Sequence, residues 1–121
     1  MLMRFALLAP LVALTACATV QGRAGPVALD QAQRVGRLLV TPIKLEEDSR
    51  CPMNARCVWA GRVVVRGAID DGRTRLERTL TLGEPAEPGV VLDGVTPDRV
   101  GGAPPLLSGD YRFHFSAVKP D

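Results

Sequence analysis

Two runs of alternating residues meet at Asp71-Gly72, and this junction limits the fold more than any other feature of the chain. Asp-Gly between alternating runs is a strong short-range signal for a β-hairpin closed by a type I′ turn. A two-residue loop there pairs Asp70 with Arg73 and sets the register from Val58 to Leu82. Arg66 then faces Glu77, Val64 faces Thr79 and Arg62 faces Thr81 on a mostly polar side. Val63 meets Leu80, Gly67 meets Leu76 and Ile69 meets Thr74 on a mostly apolar side. One register thus yields both an opposite-charge cross-strand pair and a face to bury, and a slip of one residue would turn Val63 and Val65 outward.

The flanking segments carry the same period. Leu39, Thr41, Ile43 and Leu45 alternate with Val40, Pro42, Lys44 and Glu46. Pro42 has no N–H for a ladder, which predicts an edge or a bulge at that point. Val90-Val91-Leu92 reads as a short strand, and residues 96–109, rich in Pro and Gly, read as a long loop. In the last strand Tyr111, Phe113, Phe115 and Ala117 are expected to face inward, with Arg112, His114 and Ser116 outward. A short strand near Val27-Ala28-Leu29 is a further candidate. No helical period of useful length follows the N-terminal segment. The expected fold is all-β, a small antiparallel β-sandwich or open barrel stapled by one disulfide.

The N-terminus is of a different kind. Arg4 precedes an apolar run from Phe5 to Ala16, and small residues lead into Cys17. This is the anatomy of a secretory signal, and the run is too short for the roughly 20 apolar residues of a membrane crossing. Leu14-Thr15-Ala16-Cys17 resembles the lipobox of bacterial lipoproteins, which implies cleavage before Cys17 and acylation of its side chain and new N-terminus. The same resemblance, with Ala rather than Asp at position 18, implies the periplasmic face of the outer membrane. The expected organisation is a signal peptide over 1–16, a lipidated tether over 17–34 and a β-sandwich domain over 35–121.

Composition narrows the partners. The formal charge of +2 falls to about +1 once Arg4 leaves with the signal. Basic residues alternate with acids, so neither a nucleic-acid surface nor a polybasic membrane patch is expected. Lipidation of Cys17 leaves Cys51 and Cys57, an even number in an oxidising compartment, and a structural disulfide is expected between them. A metal pair would need further ligands, and the single His114 is far away in sequence; a redox dithiol usually has two intervening residues, against five here.

Asp48-Ser49-Arg50-Cys51-Pro52 followed by Cys57-Val58-Trp59-Ala60-Gly61 resembles a segment of uncharacterised small bacterial lipoproteins and secreted proteins, DSRCP-x4-CVWAG. The likeness runs from about Val40 to Val65 and more loosely to the terminal strand. It implies a β-rich fold and an envelope location, and it carries no reaction.

Several residues invite a chemical role. Trp59 is the only tryptophan; it is expected to cover the disulfide at a packed corner, the alternative being an aromatic platform for a glycan or lipid. Arg50 and Arg56 flank the cysteines as solvated charges or as contacts to an anionic partner. Arg78 falls on the apolar side of its strand, opposite Val65, and either snorkels to the rim or meets a buried carboxylate. Glu46-Glu47-Asp48 lacks the spacing of a cation site. His114 has no nucleophile or orienting partner visible in the sequence. No catalytic constellation, metal set or cofactor motif is present. The expected function is a non-enzymatic structural or protein-interaction lipoprotein of the cell envelope. The alternative is a small periplasmic ligand-binding or inhibitor module using the loops near Trp59 and 96–109.

Overall fold

The computed structural model describes residues 10–13 and 22–118; Cys17 and its lipobox lie outside the described residues. The fold is all-β, with two antiparallel sheets. One has the order β1 (Gln33–Val35), β2 (Leu38–Asp48), β3 (Val63–Asp70), β4 (Arg75–Thr81), and the other β5 (Pro85–Ala86), β6 (Val90–Thr96), β7 (Arg112–Ala117). A 3-10 turn at Ser108–Asp110 precedes β7. Val40, Val63, Val65, Leu80, Leu92, Phe113 and Phe115 form the shared core.

The hairpin forms with its turn one residue later than the sequence suggests. Asp70 pairs with Arg75, and the Asp71 N–H donates to the Thr74 carbonyl, so the loop is Gly72-Arg73. The cause is local. The Asp71 carboxylate accepts the N–H groups of Arg73 and Thr74, both at 2.8 Å, which makes Asp71 the residue entering the turn. Gly72 then stands first in the loop with φ +91°, as a II′ turn requires. Paired positions shift by two, so every residue keeps its face. Arg66 lies opposite Thr79 instead of Glu77, although the two charges still approach diagonally at 3.7 Å. Val65 lies opposite Leu80, and Arg78 opposite Gly67.

Simple alternation fails in β2 because two bulges interrupt it, between Pro42 and Lys44 and between Leu45 and Glu47. Val40, Pro42, Leu45 and Asp48 therefore stand opposite Ile69, Gly67, Val65 and Val63, the inward positions of β3. Without the bulges Lys44 and Glu46 would point into the core. With them Lys44 and Glu46 stay outside and Leu45 turns in; the two shifts cancel, so Asp48 keeps the inward place that alternation from Val40 gives it. The bulge at Pro42 is the irregularity its missing donor predicts.

The tether expected over 17–34 is, from Gly22 onward, part of the sandwich. Val27 is fully buried and exchanges two backbone hydrogen bonds with Phe113, at 2.9 and 2.8 Å. Gln33 is 2 % exposed, and its side chain acts as a missing strand residue: the amide donates to the Phe115 carbonyl at 2.7 Å and accepts the Phe115 N–H at 2.8 Å. These contacts close β1 onto β7 and join the sheets on one side. On the other side, Leu82 bonds to Val63 and Gly83 to Leu92. In the last strand Tyr111, Phe113 and Phe115 are buried as their alternation implies, whereas Ala117 is exposed at the strand's end.

Candidate functional site: a clamped disulfide loop that displays Trp59

The strands β2 and β3 hand over to residues 49–62, which protrude from one end of the sandwich. The neck of this loop is a continued ladder: Ser49 N–H to Arg62 carbonyl at 2.8 Å, and Cys51 N–H to Ala60 carbonyl at 3.2 Å. Gly61 sits there with φ +71°, and a Cβ on it would lie 1.8 Å from the Ser49 oxygen. Only glycine allows the two chains to run this close. Above the neck, Cys51 and Cys57 form the expected disulfide, with Cα atoms 5.8 Å apart.

A second loop holds the first from the side. The Met53 N–H donates to the Arg99 carbonyl at 2.8 Å, and the Arg99 guanidinium donates to the Arg50 carbonyl at 2.7 Å. The Asn54 side chain makes a two-way amide pair with Gly101. The long 97–107 segment is thereby docked on the disulfide loop.

Beneath both loops lies a buried polar cluster. Asp48 is 6 % exposed and Arg50 14 % at the side chain, and they pair through two oxygens and two nitrogens. Arg50 also donates to the carbonyls of Val95 and Pro97, and the Tyr111 hydroxyl donates to Asp48 at 2.7 Å. Arg50, expected as a solvated charge, is instead the bolt between β2 and the end of β6. The reason is that Asp48 ends β2 on its inward side, opposite Val63, and gives the guanidinium a buried partner. Among the described residues, every buried side-chain nitrogen or oxygen has a partner.

This cluster predicts how stability depends on pH. Burial alone would push the Asp48 carboxyl up, but the Arg50 and Tyr111 hydrogen bonds and the Arg50 charge outweigh it and hold it below the usual carboxylate range. Burial first, and the Asp48 carboxylate second, push the Tyr111 hydroxyl up to about 12. A depressed carboxyl stabilises the fold above its unfolded value of about 4, and that contribution is lost as pH falls through the lower folded value. A raised phenol stabilises below its unfolded value of about 10, and that contribution is lost as pH rises toward 12. Denaturant midpoints across pH should therefore fall at both ends, and Tyr111→Phe should flatten the alkaline limb.

The packed corner expected at Trp59 is absent. Trp59 is 82 % exposed, Val58 92 % and Met53 72 %. The Gly61 neck lifts the disulfide loop away from a core built on Phe113, Phe115 and Tyr111. Arg56 is exposed on the same loop. Arg78, the remaining candidate, lies elsewhere: it is exposed on β4, donates to the Glu77 carbonyl and meets no buried carboxylate. As a charge on the inward side of an edge strand, it guards that edge against strand addition.

Glu46, Glu47 and Asp48 do not converge. Each has its own arginine: Arg66 at 3.9 Å for Glu46, Arg62 for Glu47 and Arg50 for Asp48. His114 does have a partner the sequence hides, Asp93 on the adjoining strand, whose carboxyl is held low by His114 and Ser116 against the opposing effect of burial. Sequence reading missed Asp48, Arg99 and Asn54 as the clamp, and Met53 and Val58 as part of the display.

Between Asp48, Tyr111 and the 97–106 segment lies an open cavity of about 360 Å³, whose lining mixes Pro97, Pro104, Pro105 and Leu106 with the charged Asp98 and Arg99. Among the described residues no group of acidic, His or Cys side chains is arranged to hold a metal ion, and no helix is long and apolar enough to cross a membrane. Comparisons with protein-family models, curated proteins and solved structures found no match.

Proposed function

We propose that this protein is a lipid-anchored, non-enzymatic envelope lipoprotein whose disulfide loop is a protein-contact tip. The observation that carries the reading is a solvent-exposed Trp59, with Val58 next to it in sequence and Met53 exposed on the same loop, which is held by a disulfide, a glycine neck and a second loop. Exposing such residues is unfavourable unless something covers them; Trp is a common interface anchor, and Met is enriched at interfaces. Clamping removes the ordering cost of binding beforehand.

The position of the chain's entry supports the same reading. Gly22 lies against Leu39 and Arg34, at the β1–β2 turn end of the sandwich. The tip lies beyond Asp48, about nine strand residues or roughly 25–30 Å further along β2. The described chain thus enters the sandwich at Gly22, at the pole opposite Trp59, and a domain held to a membrane from that end presents the tip away from it, on the periplasmic side. A ligand-binding role is less well supported: the polar groups on the cavity floor are consumed by one another, and Asn54 is engaged by Gly101, leaving few free donors beside the indole.

Two variants test this reading. Cys17→Ser should move the chain out of the membrane fraction or leave it unprocessed. Replacing Met53, Val58 and Trp59 together by serine should leave fractionation and folding unchanged while removing co-purifying envelope partners. Unchanged partners would overturn the assignment of the tip.

A further inference from the structure

The tip and the cavity lie at the same pole of the molecule, because the 97–106 segment that lines the cavity is the segment docked on Met53 and Asn54. Their chemistries are complementary. The loop from Ser49 to Arg62 contains three arginines and no acid. Arg50 is engaged by Asp48 and Arg62 by Glu47, which leaves Arg56 exposed beside the apolar residues. The cavity takes its apolar lining from prolines, Leu106 and the Tyr111 ring, and its charged groups from Asp48, Asp98 and Arg99; Asp48 is engaged by Arg50 and Arg99 by the Arg50 carbonyl, which leaves Asp98 exposed. Its volume of about 360 Å³ lies within the roughly 300–1,000 Å³ of ordinary ligand pockets and has room for one indole. The chain's own Trp59 does not fill it, being 82 % exposed.

We propose that the occupant of the cavity is Trp59 of a second copy of this chain, and that Arg56 of each copy meets Asp98 of the other. A surface that carries both a knob and a matching hole at one pole is self-complementary, and a two-fold axis through that pole fills both holes at once. The contact is small and therefore weak in dilute solution, and anchoring to one surface raises the effective concentration of the partner. The inference rests on the tip being a protein-contact surface, and names the protein.

The test uses the full lipidated chain anchored in phospholipid vesicles, with the photoreactive residue p-benzoylphenylalanine in place of Trp59, prepared as a mixture of isotopically light and heavy molecules. The expected result is light-to-heavy cross-links from position 59 into residues 97–106. Arg56→Asp should lower their yield by about tenfold or more, Asp98→Arg should do the same, and the double variant should restore it. In the unmodified chain the emission of the single tryptophan should shift to the blue as concentration rises. Cross-links confined to one molecule, or to a different region of the second copy, would overturn the proposal, as would failure of the double variant to recover. Cross-linking in cells to a different protein would overturn self-association and leave the tip reading standing. Cross-linking to lipid alone, or to nothing, would overturn both.

Discussion

Gln33→Leu is expected to destabilise the fold by roughly 2–5 kcal/mol. The side chain is buried and supplies both hydrogen bonds of the Phe115 backbone, at 2.7 and 2.8 Å. Leucine is of similar size but leaves one buried N–H and one buried C=O unpaired, at about 1–3 kcal/mol each. The same two bonds join β1 to β7, so the variant loosens the seam between the sheets. Urea titration of both proteins measures the difference. Gln33→Glu gives an independent check. A glutamate there keeps the acceptor but loses the donor and buries a charge, whereas its protonated form offers both. Its carboxyl is raised in the folded state, so that variant should be most stable below about pH 4 and lose stability as pH rises. A variant as stable as the original at neutral pH would show that the clamp is dispensable.

Asp48→Ala is expected to cost about 3 kcal/mol. Removing one member of a buried ion pair leaves the other without compensation, an effect of roughly 3–5 kcal/mol. Arg50 keeps some exposure, which places this case at the lower end. Tyr111 loses its acceptor in the same step. Because Arg50 also ties the loop base to Val95 and Pro97, hydrogen exchange should rise along 49–62 and 97–107 together. Tyr111→Phe removes one neutral donor and should cost far less. Equal losses in the two variants would mean that the ion pair contributes nothing.

The parts of this fold that were legible in the sequence are those where side chains alternate without interruption. β3 and β7 read correctly because Val63, Val65, Ile69, Tyr111, Phe113 and Phe115 obey a period of two. The turn was displaced because Asp71-Gly72 also suits a different role: the aspartate carboxylate captures the next backbone donors and enters the turn instead of occupying it. β2 misled because a bulge adds a residue that no side-chain pattern announces: Leu45 turns in while Lys44 and Glu46 stay out. Arg50 reads as a solvated charge and Gln33 gives no signal at all, because polarity alone says nothing of a buried carboxylate or of a backbone partner 82 residues away. Trp59 was assigned to the core on size. Its exposure follows from the narrow Gly61 neck, which lifts the disulfide loop clear of a core already filled. The disulfide itself was legible from parity and spacing.

Display of Trp59 by a scaffold that does not need it is the centre of this account, and the unfolding free energy of Trp59→Ser tests it most directly. A residue 82 % exposed contributes little to the fold, so the variant should unfold within about 0.5 kcal/mol of the original in urea. A loss of about 3–5 kcal/mol, the usual consequence of deleting a packed tryptophan, would show that the indole belongs to the core and that the tip is not a display.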